Sequence, residues 1–379
     1  MNTQSPGQSP QDDIVITGTG AICPLGNSVE EIRENLQSGK AVGGRSTRGA
    51  KVSDLKIDIS PQLARSMGKH LFLLVSAAQE AFTRARLDNA HLAPEQIGFF
   101  AGMGMVDYRI EDLLPAVLKS LGPDGELDYT RFFSGSYQEI YPLWPLAMLN
   151  NVAFCQAAIH LGIRGENSTF APHADGGIMA VAESVHVLRE GRAKAMLAGG
   201  VSEEISPISQ ARAHVHGQTG PDVLGECGAM LVLETRAAAG NRGVKPLGRI
   251  SGWGFACKTG RAGRPTAVAM ETALSHAGLN PNEIDLVFLH PPGEAEAIAS
   301  VFGDLPAGPA IVTSNSLFGE IFAAGPIVNT ILGLTIFESQ RILPALTTAR
   351  GEHRTFSNIL INAGSYEGQC ASLVIQKER

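Results

Sequence analysis

The residues best placed for chemistry lie between Arg164 and Gly200, in RGENSTFAPHADGGIMAVAESVHVLREGRAKAMLAGG. His173, Ala174 and Asp175 fall in a tight turn that runs into a helix. Unpaired amide N–H groups and the helix dipole stabilise negative charge at such a junction, so many α/β enzymes put a nucleophile there. This junction offers no thiol. His173 is placed either to protrude into a pocket or to cap the turn. His214 and His216 form an HxH pair in a polar loop without an evident third ligand, so they read as surface histidines and no metal is expected. The five cysteines (Cys23, Cys155, Cys227, Cys257, Cys370) are odd in number and contain no CxxC pair, which argues against structural zinc and fits a reduced, cytoplasmic setting. Cys23 and Cys155 lie in apolar sequence and read as core residues.

The elements that must hold this junction are legible around it. Ile178, Val181, Val185 and Leu188 recur with helical spacing, Glu183, Arg189 and Glu190 take the other face, and Gly191 supplies the stop. Ala195–Ala198 then form a short apolar run suited to a buried strand. Upstream, Asp13–Gly18 reads as a strand entering a glycine turn, and Asn27 or Ser28 caps the helix VEEIRENLQSG. From Lys69 to about Ala85 an apolar helix leads through Leu87-Asp88-Asn89 and Pro94-Glu95-Gln96 to the strand Ile97–Gly102. The stretch from Thr266, TAVAMETALSHAGLNPNEIDLVFLHPPG, repeats that plan. Internal duplication predicts two copies of one α/β half, at residues 13–242 and 243–379, behind a disordered polar tail at 1–12. No Ser/Pro-rich linker separates the halves, so they are expected to share one core. The segment from Asp107 to Asn151 is less regular and rich in aromatics, reading as a capping segment, a pocket wall or a subunit interface.

Composition narrows the function. At 379 residues, 44% hydrophobic and 18% charged, with 43 glycines, the chain suits a large glycine-rich α/β protein. A net charge of −7 speaks against a nucleic-acid partner, no basic run suggests an anionic membrane, and the apolar runs have helix or strand length. The opening MNTQSPGQSPQDD lacks the basic start and apolar core of a secretory signal. TGTGAICPLG contains GTG without the spacing of a dinucleotide fingerprint, and no cofactor is expected.

Seven segments, in order, carry a resemblance: VITGTGAICPLGNSVEEIRENLQSG, GIRGENSTFAPHADGG, AMLAGGVSE, GECGAMLVLE, IDLVFLH, SNSLFGEIFAAG and ILINAGSYEGQCASLVI. Over nearly its whole length the chain resembles the β-ketoacyl-acyl carrier protein synthases of the thiolase fold. The resemblance implies an α/β, thiolase-like fold of two duplicated halves in a layered αβαβα arrangement. Active members use a cysteine at the helix start, two histidines, and a lysine supporting one of them. Here Ala174 takes the cysteine's place, His290 matches the first histidine, Glu320 falls at the second, and Asn315 stands where the lysine would be. Where the family's Gly-Thr-x-Thr hydroxyls hold a pantetheine arm, this chain has Pro291, Pro292, Gly293 and Glu294. The loop with the gating phenylalanine reads Gly364-Ser365-Tyr366-Glu367-Gly368.

An alanine methyl cannot carry a thioester, so no catalytic residue for condensation is expected. Ala174, His290, Glu320 and Asn315 are vestigial site positions, with His173, Asp175 and Tyr366 as pocket neighbours. The combination resembles the chain-length factor, the cysteine-less partner of an active ketosynthase, although familiar chain-length factors carry glutamine at the position of Ala174. The expectation is a heterodimer that shapes an acyl-chain tunnel in polyketide or polyene synthesis, with the acyl carrier protein engaged through the partner. The alternative is an acyl-thioester decarboxylase or hydrolase in which His290 and Glu320 pair as general base.

Overall fold

Strand β1, Ile14–Ile22 (IVITGTGAI), is buried at every residue, as a strand covered on both faces must be. In this computed structural model, residues 13–39, 52, 68–104, 106–142, 144–171, 173–202, 205–216, 224–258, 264–289, 294–303, 308–350, 355–365 and 367–378 are described. After β1 come α1 (Val29–Gln37), α2 (Lys69–Arg84), β2 (Ile97–Met103), α3 (Ile110–Lys119), α4 (Tyr129–Ser134), α5 (Trp144–Ala147) and α6 (Asn150–Leu161). Then follow β3 (Asn167–Phe170), α7 (Asp175–Arg189), β4 (Ala195–Val201), α8 (Pro207–Val215), β5 (Gly228–Thr235) and α9 (Arg236–Asn241). The second half contains β6 (Gly248–Cys257), α10 (Pro265–Ala277), β7 (Leu286–Leu289), α11 (Glu294–Phe302), β8 (Ala310–Thr313) and α12 (Asn315–Phe318). It closes with α13 (Gly325–Ser339), β9 (Thr347–Arg350), β10 (Asn358–Gly364) and β11 (Gln369–Gln376).

The strands run in the order β3-β2-β4-β5-β1-β6-β11-β10-β7-β8-β9. Outward from the β1/β6 seam, each half repeats one pattern. β5 and β11 are antiparallel to the seam strands and to the next strands, β4 and β10. Parallel pairs β4/β2/β3 and β10/β7/β8 then follow. The duplication anticipated from the Leu-Asn turns is therefore present in the topology, and the seam itself is short, Ile14↔Ile250 to Ile16↔Gly248.

Helices occupy three layers. Buried residues of α2 and α6 form one core with β2, β4 and β5, and α10 and α11 form another with β7, β10 and β11. Between the two halves of the sheet α7 and α13 share the largest core with residues from both halves. The result is the αβαβα layering. Close helix-on-strand approach is set by backbone in both halves. A Cβ on Gly20 of β1 would sit 2.0 Å from the Ala77 carbonyl oxygen of α2, and one on Gly254 of β6 would sit 2.2 Å from that of Ala269 in α10.

α13 is buried over almost its entire length, which explains why it is apolar all round. With the turn before it, Phe322–Ser339 is long and apolar enough to cross a membrane, yet 89% of that window is buried inside the protein. Its hydroxyls bond within the helix, Thr330 Oγ1 donating to the Pro326 carbonyl at 2.8 Å and Thr335 Oγ1 to that of Ile331 at 3.1 Å. At the base of the seam, Arg236 reaches Asp13 Oδ2 at 3.3 Å and Glu378 Oε1 at 2.9 Å, while Arg249 meets Asp13 at 2.9 Å.

Three expectations need correction. Cys155 is exposed on α6, because the apolar run around it presents its other face, with Phe154 and Ala158, to the core. His214 lies in the last turn of α8 and His216 caps that helix, because Ser206 and Pro207 start a helix in what reads as loop sequence. The 107–151 segment folds into short helices and turns in which Tyr129, Phe133, Tyr137 and Tyr141 are exposed, which counts against its reading as a packed cap.

Candidate functional site

The tip of α7 forms as the sequence suggests. Edge strand β3 delivers the chain, the Gly176 and Gly177 amides bond back to the His173 and Ala174 carbonyls at 3.0 and 3.2 Å, and the helix begins. Ala174 is the N-cap, in ordinary helical geometry (φ −61°, ψ −35°) and only 1% exposed. Its methyl group stands at the positive end of a 15-residue helix, where a thiolate would be favoured. No acyl bond can form on it.

Around that tip, glycines admit a second backbone segment. A Cβ on Gly177 or on Gly200 at the end of β4 would lie 2.2 Å from the Ala323 carbonyl oxygen, and one on Gly102 of β2 would lie 2.8 Å from the Ala323 Cβ. The segment so received carries Glu320 and Phe322. Glu320 is buried and accepts a hydrogen bond from the Phe322 amide at 2.8 Å, while its carbonyl accepts one from Gly225 at 2.9 Å. That local carboxylate–amide bond anchors Phe322, which is held in the left-handed region at φ +45°. Asn315 opens α12, half-buried, with its carbonyl accepting from the Gly319 amide at 2.7 Å. The neighbouring Ser314 donates to Asn329 Oδ1 on α13 at 2.7 Å.

His173 is 3% exposed and directs Nε2 to Glu367 Oε2 at 2.7 Å. Its ring also lies beside Phe322, with centroids 5.9 Å apart. Burial opposes ionisation of Glu367. The His173 hydrogen bond, its own amide and the charges of His173 and His216 outweigh burial and hold the carboxyl below its usual range. Asp175, 7% exposed, behaves oppositely: burial raises its carboxyl against the pull of its own amide, His173 and the Gly176 amide, and Glu367 adds to the rise. Its Oδ1 is buried without a hydrogen-bond partner among the described residues.

The structure thus joins Ala174, His173 and Asp175 at one helix tip and brings the segment of Glu320 against it. His290, Tyr366 and Pro291–Gly293 lie outside the described residues. Glu367 is the partner sequence reasoning missed. Its signal was a single acid in the glycine-flanked turn between β10 and β11, which only the paired register of those strands carries to His173. Among the cysteines, burial pushes Cys23 up to about 12 and Cys227 well above the usual thiol range, as buried structural thiols behave. No group of three or more His, Cys, Asp or Glu among the described residues could hold a metal ion.

Comparisons with known proteins place this geometry. The chain is 24% identical over 376 residues to 3-oxoacyl-[acyl-carrier-protein] synthase 2 of Synechocystis sp., covering 88% of this chain and 87% of that protein. It is likewise 24% identical over 379 residues to the protein of the same description from Staphylococcus aureus strain COL, with the same coverage. Among solved structures, the ishigamide ketosynthase/chain length factor superposes with a TM-score of 0.79 at 21% identity, covering 97% of this chain and 99% of that one. A β-ketoacyl synthase from Burkholderia phymatum STM815 gives 0.77 at 21% identity, covering 97% and 100%. These likenesses establish the thiolase-like ketosynthase fold. The sequence model of the β-ketoacyl synthase N-terminal domain matches residues 42–239, more than half of the chain, and this protein therefore belongs to the β-ketoacyl synthase family.

Proposed function

We propose that this protein is a chain-length-factor-like subunit that pairs with an active ketosynthase and shapes the tunnel for its growing acyl chain. The observation that carries the reading is Ala174, a methyl group at the helix tip where the family keeps its acyl-bearing cysteine. Asn315 and Glu320 in place of the lysine and second histidine agree with it. Glu320 supports the Phe322 backbone, a structural use of a position that is catalytic in relatives.

A partner surface supports the reading from the other side. β3 ends the sheet, and its outer edge is unpaired among the described residues. Ile159, on the helix α6 that packs against β3, is 70% exposed, and Tyr129 and Phe133 on α4 are 67% and 70% exposed. An open sheet edge and exposed aromatic groups each suit burial in a subunit interface. One structural neighbour is described as a ketosynthase/chain length factor, and that description agrees with the pairing proposed here. A net charge of −7 disfavours direct docking of an acidic carrier protein, which is assigned to the partner subunit.

Co-expression with a cysteine-bearing ketosynthase tests the proposal. A stable one-to-one complex whose condensation needs the partner's cysteine is expected. A homodimer or monomer that ignores such a partner would reject it. The alternative acyl-thioester enzyme using His290 and Glu320 has weaker support, because Glu320 already accepts from a backbone amide. Turnover of malonyl or acyl thioesters by the chain alone, lost in His290→Ala, would reinstate that alternative.

A further inference from the structure

A cavity of about 270 Å³ lies away from the α7 tip, between the N-terminal ends of α2, α3 and α8 and the short α5. Ala174, Asp175, Asn315 and Glu320 do not line it. Ile110, Trp144, Met148, Ile205 and Ile208 supply apolar wall, and His70 stands among them. His70 is 4% exposed, and its Nε2 is buried with no hydrogen-bond partner among the described residues. Most other inward positions of α2, including Leu71, Leu74, Ala77 and Ala78, are apolar. An imidazole in that row carries an unmet hydrogen-bonding atom that a hydrocarbon there would not.

The chemistry of the ring restricts what it can hold. Burial, and next the nearby charge of Arg109, push His70 down to about 4, so at neutral pH the imidazole is uncharged. One ring nitrogen then carries a proton and the other a lone pair. Such a ring makes a single hydrogen bond to a hydroxyl or carbonyl and gives no charge to an anion. The other charged residues along the wall, Arg109, Glu111 and Asp112, carry more negative than positive charge and so do not favour an anion, and Asp107 is already matched. Ser206 Oγ donates to Asp107 Oδ2 at 2.6 Å, and the Arg212 guanidinium pairs with the other oxygen of Asp107.

We propose that this cavity binds an uncharged, mainly apolar small molecule bearing one hydroxyl or carbonyl group, which His70 Nε2 hydrogen-bonds. The site is separate from the acyl position, so its fate does not depend on the chain-length-factor reading. The test uses the full chain with hexan-2-ol, hexan-2-one and hexanoate as probes and Trp144 fluorescence as readout, with Trp144→Phe as blank. Saturable quenching by the alcohol or ketone is expected, with hexanoate weaker by about tenfold or more and His70→Phe losing about tenfold or more in affinity. The folded state of His70→Phe is read from its melting curve. If that variant does not fold, ¹⁵N-histidine spectra of the native chain decide: a probe-induced shift of the His70 ring nitrogens supports the site, and none overturns it. Absence of saturable quenching up to the solubility limit, equal binding of hexanoate, or undiminished binding by folded His70→Phe also overturns it.

Discussion

Gly200→Ala is the sharpest test of how the α7 tip is built. The new methyl would lie 2.2 Å from the Ala323 carbonyl oxygen and 2.4 Å from its carbonyl carbon, both backbone atoms. Ordinary contact begins near 3.4 Å, so the Ala323 segment or β4 must move by about 1.2 Å (3.4 minus 2.2). Overpacking of this kind costs about 1–3 kcal/mol, and the upper end applies because no flexible side chain can yield. With an unfolding entropy of about 2.1 cal/mol/K per residue, 379 residues give about 0.8 kcal/mol/K, so a 3 kcal/mol loss lowers Tm by about 4 °C. Gly240→Ala is the control: nothing lies within 4 Å of its Cβ, and the change falls in α9, so Tm should hold or rise slightly. Differential scanning calorimetry and urea titration read both variants. A Gly200→Ala protein that melts with wild type would refute the claim that Ala323 is seated by backbone contact.

Four further outcomes follow. Tyr129→Ser and Phe133→Ser should leave the melting curve within about 0.5 kcal/mol of wild type, as exposed positions do, yet lower the yield of complex with a ketosynthase in a pull-down. Because Glu367 is held below its usual range, its contribution is present above the unfolded-state value and is lost as pH falls through the folded one. Wild type should therefore lose its small advantage over Glu367→Gln on acid titration below the ordinary glutamate range, and the half-exposed Glu367 carboxylate limits that advantage to about 0.5 kcal/mol. Ala174→Cys should still perform no condensation with acyl and malonyl carrier substrates, measured by product analysis. In the native protein DTNB should label the exposed Cys155 and Cys257 quickly while buried Cys23 and Cys227 stay silent until denaturant is added.

The fold was readable because its signals are local and repeated. Two Leu-Asn turns, two Pro-led single turns and two apolar strands in matching order announced the duplication that the strand order displays. Ala174 could likewise be placed by counting from glycine anchors on either side. Contacts between distant segments were not readable. Nothing adjacent to Glu367 distinguishes it from a solvated acid, because its meaning comes from a β10–β11 turn folding over His173, nearly two hundred residues earlier. His70 was hidden for the opposite reason: in an apolar helical run, periodicity alone assigns it to core packing. Cys155 misled because a nearly uniform apolar helix such as α6 does not reveal which face turns outward.

The arginine cluster at the seam has a consequence for chain connectivity. Through one guanidinium, Arg236 touches both Asp13 and Glu378, so the first and last described stretches lie side by side. Neighbouring ends of this kind permit circular permutation. A short bridge joining them, with new ends opened in the exposed turn after Gly240, would make the second repeat precede the first while every strand kept its neighbours. Which repeat is translated first would then be a matter of ancestry and folding order, not of architecture.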